Sequence, residues 1–240
     1  HIEDGYIMVD PCKLELVTPG FDRQTGAYLD WGIPASVLAQ FMRERGIVPE
    51  KNDLNTILFL VTPGIETSKA GTLISALVSF KRLFDRNAPL AEVLPAFSRT
   101  YQAHYADTGV RDLCVAMHQF YRDHDCSGLQ KRQFRAEHFP EIAMSPRAAM
   151  QKFIANEVDY LPLDQIQGRI AATLNLVYPP GIAVVVPGER YTERCRPMLD
   201  YFRMFEESYA RFPGFANEIQ GVYPEQEGGG TRLYTYVAKE

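Results

Sequence analysis

No uninterrupted apolar run in this chain exceeds five residues, and the strongest of them, Ile57-Leu58-Phe59-Leu60-Val61, stops at Thr62-Pro63-Gly64. A membrane-spanning helix needs roughly 18 to 20 apolar residues in succession, so this run is too short to be one. Proline cannot donate to a strand ladder and glycine accommodates a turn, so the same run reads as a buried strand with a defined end. The chain therefore has to build its interior from short elements. With 46% of its 240 residues apolar and 23% charged, it has material for one large core or two modest ones.

The order of those elements follows from their periodicity. Lys13-Leu14-Glu15-Leu16 alternates polar and apolar side chains after Tyr6 to Val9, and turn-rich Thr18-Pro19-Gly20 and Gln24-Thr25-Gly26 follow, so a strand and then a turn are predicted. Val37, Leu38, Phe41 and Met42 recur at helical spacing behind Pro34 and ahead of Gly46, which predicts an amphipathic helix from about Pro34 to Arg45. Ile47-Val48 and Asn55 to Val61 read as strands. From Thr67 to Phe84, the positions Leu73, Ile74, Leu77, Val78, Phe80 and Phe84 predict a long helix with one buried face. Arg111 to Tyr121 reads as another helix, and Ser145-Pro146 as an N-cap and first helical residue before inward-facing Met150, Phe153 and Ile154. Ile182 to Val186, between Tyr178-Pro179-Pro180-Gly181 and Pro187-Gly188, is expected to be a fully buried strand. A helix carrying Met198, Phe202, Phe205 and Tyr209 follows, then a hairpin from Gly221-Val222-Tyr223 through Gly228-Gly229-Gly230 to Leu233 to Val237. The fold class is α+β.

Charge and motif content narrow the function classes. Twenty-five basic against thirty acidic side chains give a formal charge of -5 with no Lys/Arg block, so neither a nucleic-acid partner nor a membrane is expected. Cys12, Cys114, Cys126 and Cys195 form no closely spaced pairs, which suits a reducing compartment, the cytoplasm, better than a disulfide framework. Cys114, His118, His124 and Cys126 offer four candidate zinc ligands within a short stretch, but there is no C-x2-C knuckle and Cys114 also suits a helix core. No G-x-S-x-G elbow, Walker loop or G-x-G-x-x-G is present, and the Gly228 to Gly230 run precedes a strand rather than a helix. None of the lysines, Lys13, Lys51, Lys69, Lys81, Lys131, Lys152 and Lys239, has a local context suggesting a Schiff base. Glu50-Lys51-Asn52-Asp53 lies between predicted strands, as a binding loop or as a solvated connection. Arg169 can anchor a carboxylate ligand or pair with a structural acid.

Several short motifs recur in a recognisable order: Gly5-Tyr6-Ile7-Met8-Val9-Asp10-Pro11-Cys12-Lys13-Leu14, Gly32-Ile33-Pro34-Ala35, Gly46-Ile47-Val48-Pro49-Glu50-Lys51, Gly168-Arg169-Ile170, Tyr178-Pro179-Pro180-Gly181, Pro187-Gly188-Glu189 and Phe212-Pro213-Gly214-Phe215. Taken together over essentially the whole chain, they resemble the C-terminal third of the bacterial ornithine/lysine/arginine decarboxylases, pyridoxal-phosphate enzymes of the aminotransferase-like fold. The resemblance implies a small aminotransferase-like subdomain over residues 1–73, followed by the family's C-terminal α/β domain over residues 74–240. It also implies that the chain, which starts at His1-Ile2-Glu3-Asp4, is a piece of something longer.

In that family the cofactor lysine follows a histidine, and no lysine here does, so no catalytic or cofactor-binding residue is expected in this chain. The resemblance implies decarboxylation with pyridoxal 5'-phosphate as the electron sink, held mainly by an upstream domain, and homodimers that associate into decamers. Glu50 is the one residue carried over as a substrate contact, since a carboxylate suits the distal ammonium of ornithine or lysine. The stretches around Cys12 and around Pro49 to Asn55 look closest to the ornithine-type branch, with lysine second and arginine third. Ser75 stands where some lysine-type members have an arginine for guanosine tetraphosphate, so regulation by that nucleotide is not expected. A competing reading makes the chain a non-catalytic assembly module whose apolar face, around Leu73 to Phe84, serves subunit contacts.

Overall fold

A computed structural model describes residues 8–178, 181–215 and 217–240, and these fall into two compact units, one ending at Gln119 and the other beginning at Phe120. Tyr6 and Ile7 of the first expected strand, and Pro179 and Pro180 of the expected turn, lie outside the described residues.

The first unit contains β1 (Lys13–Val17), α1 (Ala35–Arg43), β2 (Lys51–Asn52), β3 (Thr56–Leu60), α2 (Thr67–Asp85) and the short helices α3 (Leu90–Val93), α4 (Pro95–Thr100) and α5 (Gln102–Tyr105). Helix α6 (Val110–Asp123) runs across the division. The strands form an antiparallel sheet in the order β1-β3-β2, with Lys13 opposite Leu60 and Leu16 opposite Ile57. Alternation puts Ile57 and Phe59 of β3 in the interior. Helix α1 buries Val37, Leu38, Phe41 and Met42, and the Phe41 ring meets Phe80 of α2 edge-on at 5.0 Å.

Two expectations for this unit fail. Ile47-Val48 is not a strand, because Gly46 takes φ +75° and the amides of Gly46 and Ile47 turn back onto the carbonyls of Arg43 and Met42, each at 3.0 Å. This is a Schellman cap, and it uses Ile47 to end α1 rather than to open a ladder. Helix α2 buries Ala76, Phe80 and Phe84, but Ile74 is 61% exposed and Val78 is exposed as well, so its covered face is confined to the C-terminal half.

The second unit contains α7 (Cys126–Arg132), β4 (Glu141–Ile142), α8 (Pro146–Ile154), β5 (Val158–Pro162), β6 (Ile170–Ala171), β7 (Asn175–Tyr178), β8 (Ile182–Val185), β9 (Glu189–Arg190), α9 (Arg196–Arg211), β10 (Glu218–Gln220), β11 (Tyr223–Glu227) and β12 (Gly230–Ala238). One sheet runs β10-β7-β8; the other runs β11-β12-β6-β9-β4, with β5 also paired to β12. Every ladder among the described residues is antiparallel. The β11–β12 hairpin closes with Glu227 opposite Gly230, leaving Gly228 and Gly229 at φ 57° and 86°. Two consecutive positive φ values are what a two-residue hairpin turn with the natural strand twist requires. Helix α9 buries Met198, Leu199, Phe202 and Phe205 and packs on α7 and β12.

Ser145 caps α8 as expected, its Oγ accepting from the Ala148 amide at 3.2 Å with Pro146 in the first turn. Its covered face is not the one expected, however: Ala149 is buried, Met150 is exposed and Ile154 is 77% exposed, while Phe153, 36% exposed, keeps an edge-on contact with Tyr236 of β12 at 5.3 Å. Strand β8 is likewise not fully buried. It is the edge of its sheet, Ile182 is 54% exposed, and of its residues only Val185 is buried.

Candidate functional site

Glu50 lies just ahead of β2, with an exposed side chain and an amide that donates to the Leu58 carbonyl of β3 at 2.8 Å. Strand β2 then pairs Lys51 with Leu58 and Asn52 with Ile57. The reversal into β3 is made by Asp53-Leu54-Asn55-Thr56. The Asp53 amide donates to the Thr56 carbonyl at 3.0 Å, and Asp53 Oδ1 accepts from the amides of Asn55 (2.7 Å) and Thr56 (2.5 Å). Burial pushes the Asp53 carboxyl above its ordinary range, since the two amide bonds only partly offset the lost hydration. From α1, Arg43 Nη2 donates to Asn52 Oδ1 at 3.0 Å, and the Ala35 amide donates to the Leu54 carbonyl at 3.0 Å. Glu50 is thus an exposed carboxylate on a hairpin whose backbone is tied down on three sides. The loop is legible in the sequence and its anchors are not, although an aspartate two residues before an asparagine, between two strands, is a turn signal in its own right.

The other candidates have places of their own within the unit that holds each of them. Arg169 Nη2 pairs with Asp159 at 2.5 Å inside the second unit, which is the structural alternative of its two readings. The proposed zinc ligands have other uses. Cys114 and Cys126 are buried, with thiols pushed far above their ordinary range by desolvation. His118 Nε2 donates to the Leu29 carbonyl at 2.8 Å, and His124 meets the Phe120 carbonyl at 2.8 Å and Glu207 at 2.9 Å. Among the described residues no three His, Cys, Asp or Glu side chains gather to hold a metal ion, and no helix is long and apolar enough to cross a membrane.

A pyridoxal phosphate site needs a desolvated lysine and a phosphate cradle, and the residues present do not fit. None of the seven lysines is buried, and Lys13, Lys81, Lys152 and Lys239 face Asp10, Asp85, Glu157 and Asp159 at 3.3, 2.5, 3.4 and 3.8 Å. The Gly228-Gly229 turn joins two strands rather than opening a helix, so it offers no helix N-terminus to a phosphate.

Comparison with known proteins places both ends of the chain in one family. Residues 1–69 match the family model for the Orn/Lys/Arg decarboxylase major domain, and residues 127–239 match that for the Orn/Lys/Arg decarboxylase C-terminal domain. The chain is 45% identical over 243 residues to the inducible ornithine decarboxylase of Escherichia coli (strain K12), an alignment that covers 100% of this chain and 33% of that protein. It is 40% identical over 234 residues to the lysine decarboxylase LdcA of Pseudomonas aeruginosa, covering 98% of this chain and 31% of that protein. The solved structure of lysine decarboxylase A from Pseudomonas aeruginosa superimposes with a TM-score of 0.90 at 38% identity, over 99% of this chain and 31% of the other. The chain therefore spans about a third of the length of the curated relatives it matches.

Proposed function

The chain belongs to the Orn/Lys/Arg decarboxylase family, and we propose that it is the C-terminal portion of a pyridoxal-phosphate-dependent decarboxylase that converts ornithine to putrescine and carbon dioxide. The observation that carries the choice of substrate is the ordering of identities, 45% to an ornithine decarboxylase against 40% and 38% to lysine decarboxylases. Lysine is the second reading, favoured by the close superposition on a lysine decarboxylase structure.

On this reading Glu50 receives the distal ammonium of the substrate, supported by an exposed carboxylate on a hairpin with a fixed backbone. A carboxylate and an ammonium form a charge-assisted bond that a neutral side chain does not match. The same reading has the cofactor held mainly by an upstream domain of the full-length protein, so that the isolated chain is inactive and the full-length protein active. It also has a small subdomain followed by the C-terminal domain, an order supported by the matches to 1–69 and 127–239, while the compact units divide at Gln119 and Phe120 rather than between residues 73 and 74, which both lie in α2. On the same reading the whole protein is a cytoplasmic homodimer, with further association into decamers as the family resemblance implies.

The test is a comparison of kcat/KM for ornithine, lysine and arginine in the full-length protein. Ornithine is expected to lead lysine by roughly tenfold or more, the scale on which one methylene is discriminated. A lead for lysine replaces the first reading with the second. Glu50→Ala is expected to raise KM for ornithine while leaving the absorbance of bound cofactor in place; an unaltered KM removes Glu50 from the substrate site.

A further inference from the structure

We propose that Asp53 is a positioning residue for the substrate's distal ammonium, because by closing the β2–β3 turn it sets where Glu50 stands relative to the sheet. The inference rests on the reading of Glu50 given above. Asp53 occupies the first position of a turn whose central residues are Leu54 and Asn55, and its Oδ1 takes the amides of both Asn55 and Thr56. The donors are main-chain groups, so what the carboxylate controls is backbone conformation, as in other turns where an aspartate binds the amides that follow it.

Control of this turn reaches Glu50 because the strand between them is so short. β2 has two residues, and its ladder consists of Lys51 opposite Leu58 and Asn52 opposite Ile57. A strand of that length has too few bonds of its own to hold a register. It is held instead at its two ends, by the Glu50 amide on Leu58 and by the Asp53 turn, with Arg43 gripping Asn52 from the side. Removing the Asp53 acceptor frees two amides and one end of the segment, and the Glu50 carboxylate is then spread over several positions instead of one. A bond that depends on charge and direction weakens under such displacement, so the loss falls on substrate binding.

Steady-state kinetics of the full-length protein on ornithine and lysine, with cofactor absorbance as the check on folding, decide the matter. Asp53→Ala is expected to raise KM about fivefold with a smaller fall in kcat, the signature of lost binding rather than lost chemistry. Asp53→Asn keeps an oxygen that accepts from Asn55 and Thr56, and is expected to hold KM within about twofold of the parent. In a Glu50→Ala background, Asp53→Ala is expected to add less than about twofold, because residues acting through one another are non-additive. An equal rise in KM with and without Glu50 shows that the two residues act independently and overturns the proposal. A parental KM for Glu50→Ala alone overturns the underlying reading of Glu50 instead. Asn52→Ala, which removes the grip of Arg43 and the bond from Asn52 Nδ2 to the Asp53 carbonyl at 3.4 Å, serves as the second probe if Asp53→Ala does not fold, with the same non-additivity expected and additivity counting against the proposal.

Discussion

Asn175 of β7 donates through Nδ2 to the hydroxyl of Thr235 of β12 at 3.2 Å, and both side chains are completely buried. The pair joins the two sheets of the second unit. Around it, Tyr191 donates its hydroxyl to Asn175 Oδ1, while Asn175 Nδ2 and Thr235 Oγ1 both donate to the Gly221 carbonyl, at 2.9 and 2.7 Å. Truncating Asn175 to alanine removes three buried hydrogen bonds at once and takes the acceptor from the Tyr191 hydroxyl; each lost bond costs about 0.5–1.5 kcal/mol and an orphaned polar group about 1–3 kcal/mol. Asn175→Ala is therefore expected to lower stability by roughly 3 kcal/mol or more, and Tyr191→Phe, which orphans one acceptor, by about 1–2 kcal/mol. Urea titration followed by circular dichroism checks both the size and the order.

In the first unit, the loop before α1 is locked by an unusually close approach. A Cβ added at Gly32 would stand 2.2 Å from His118 Nδ1 and 2.8 Å from the Pro19 carbonyl, while Gly20, at φ +100°, has its own Cβ position 2.3 Å from the Gly32 Cα. His118 in turn holds the loop through the Leu29 carbonyl. Gly32→Ala is expected to cost about 1–3 kcal/mol through overpacking. Combining it with His118→Ala, which vacates part of the space, is expected to cost less than the sum of the two single changes. Strict additivity in the melting temperatures would show that the ring is not what excludes the methyl group.

Helix α8 separates capping from burial. Ser145→Ala removes the oxygen that accepts from Ala148 and is expected to cost about 1 kcal/mol. Ile154→Gln, at a position that is 77% exposed, is expected to change stability by no more than about 0.5 kcal/mol. Calorimetry on the two variants tests the orientation of the helix, since an inward Ile154 would reverse their order.

The contrast at α8 shows what was legible in the chain and what was not. Turn and cap chemistry was legible, because Pro63-Gly64 after β3, Ser145-Pro146 at α8 and Gly228-Gly229 in the last hairpin act through their own backbone. Which residues share a helix face was legible too, as with Phe80 and Phe84. What covers a face was not: periodicity groups Ile74 with Phe80 and Met150 with Ile154, but burial depends on elements remote in sequence. An apolar run such as Ile182 to Val185 likewise does not reveal whether its strand is central or at an edge. At the candidate site, Glu50 came from a resemblance, whereas the ties from Arg43, Asp53 and Leu58 appear only once the hairpin is folded.

Asp53 also makes a prediction about pH. Burial raises its carboxyl above the ordinary range, with Glu15 adding a smaller contribution of the same sign and the Asn55 and Thr56 amides opposing. The folded chain therefore binds this proton at a higher pH than the unfolded chain does. Between the ordinary carboxylate value and the raised one, the folded state holds more protons, so stability from this group is full below the ordinary value and is lost as pH rises through the raised one. Asp53→Asn keeps the shape and the acceptor but has no charge to desolvate. Its denaturation midpoint is expected to exceed the parent's at pH 7, with the difference shrinking toward pH 3 as Asp53 takes up its proton. A difference that grows on acidification would mean that the charged form is the one the fold prefers. The expected sign bears on the role proposed for the residue, since a carboxylate that costs stability at neutral pH is placed for what its turn positions rather than for what it contributes to the fold.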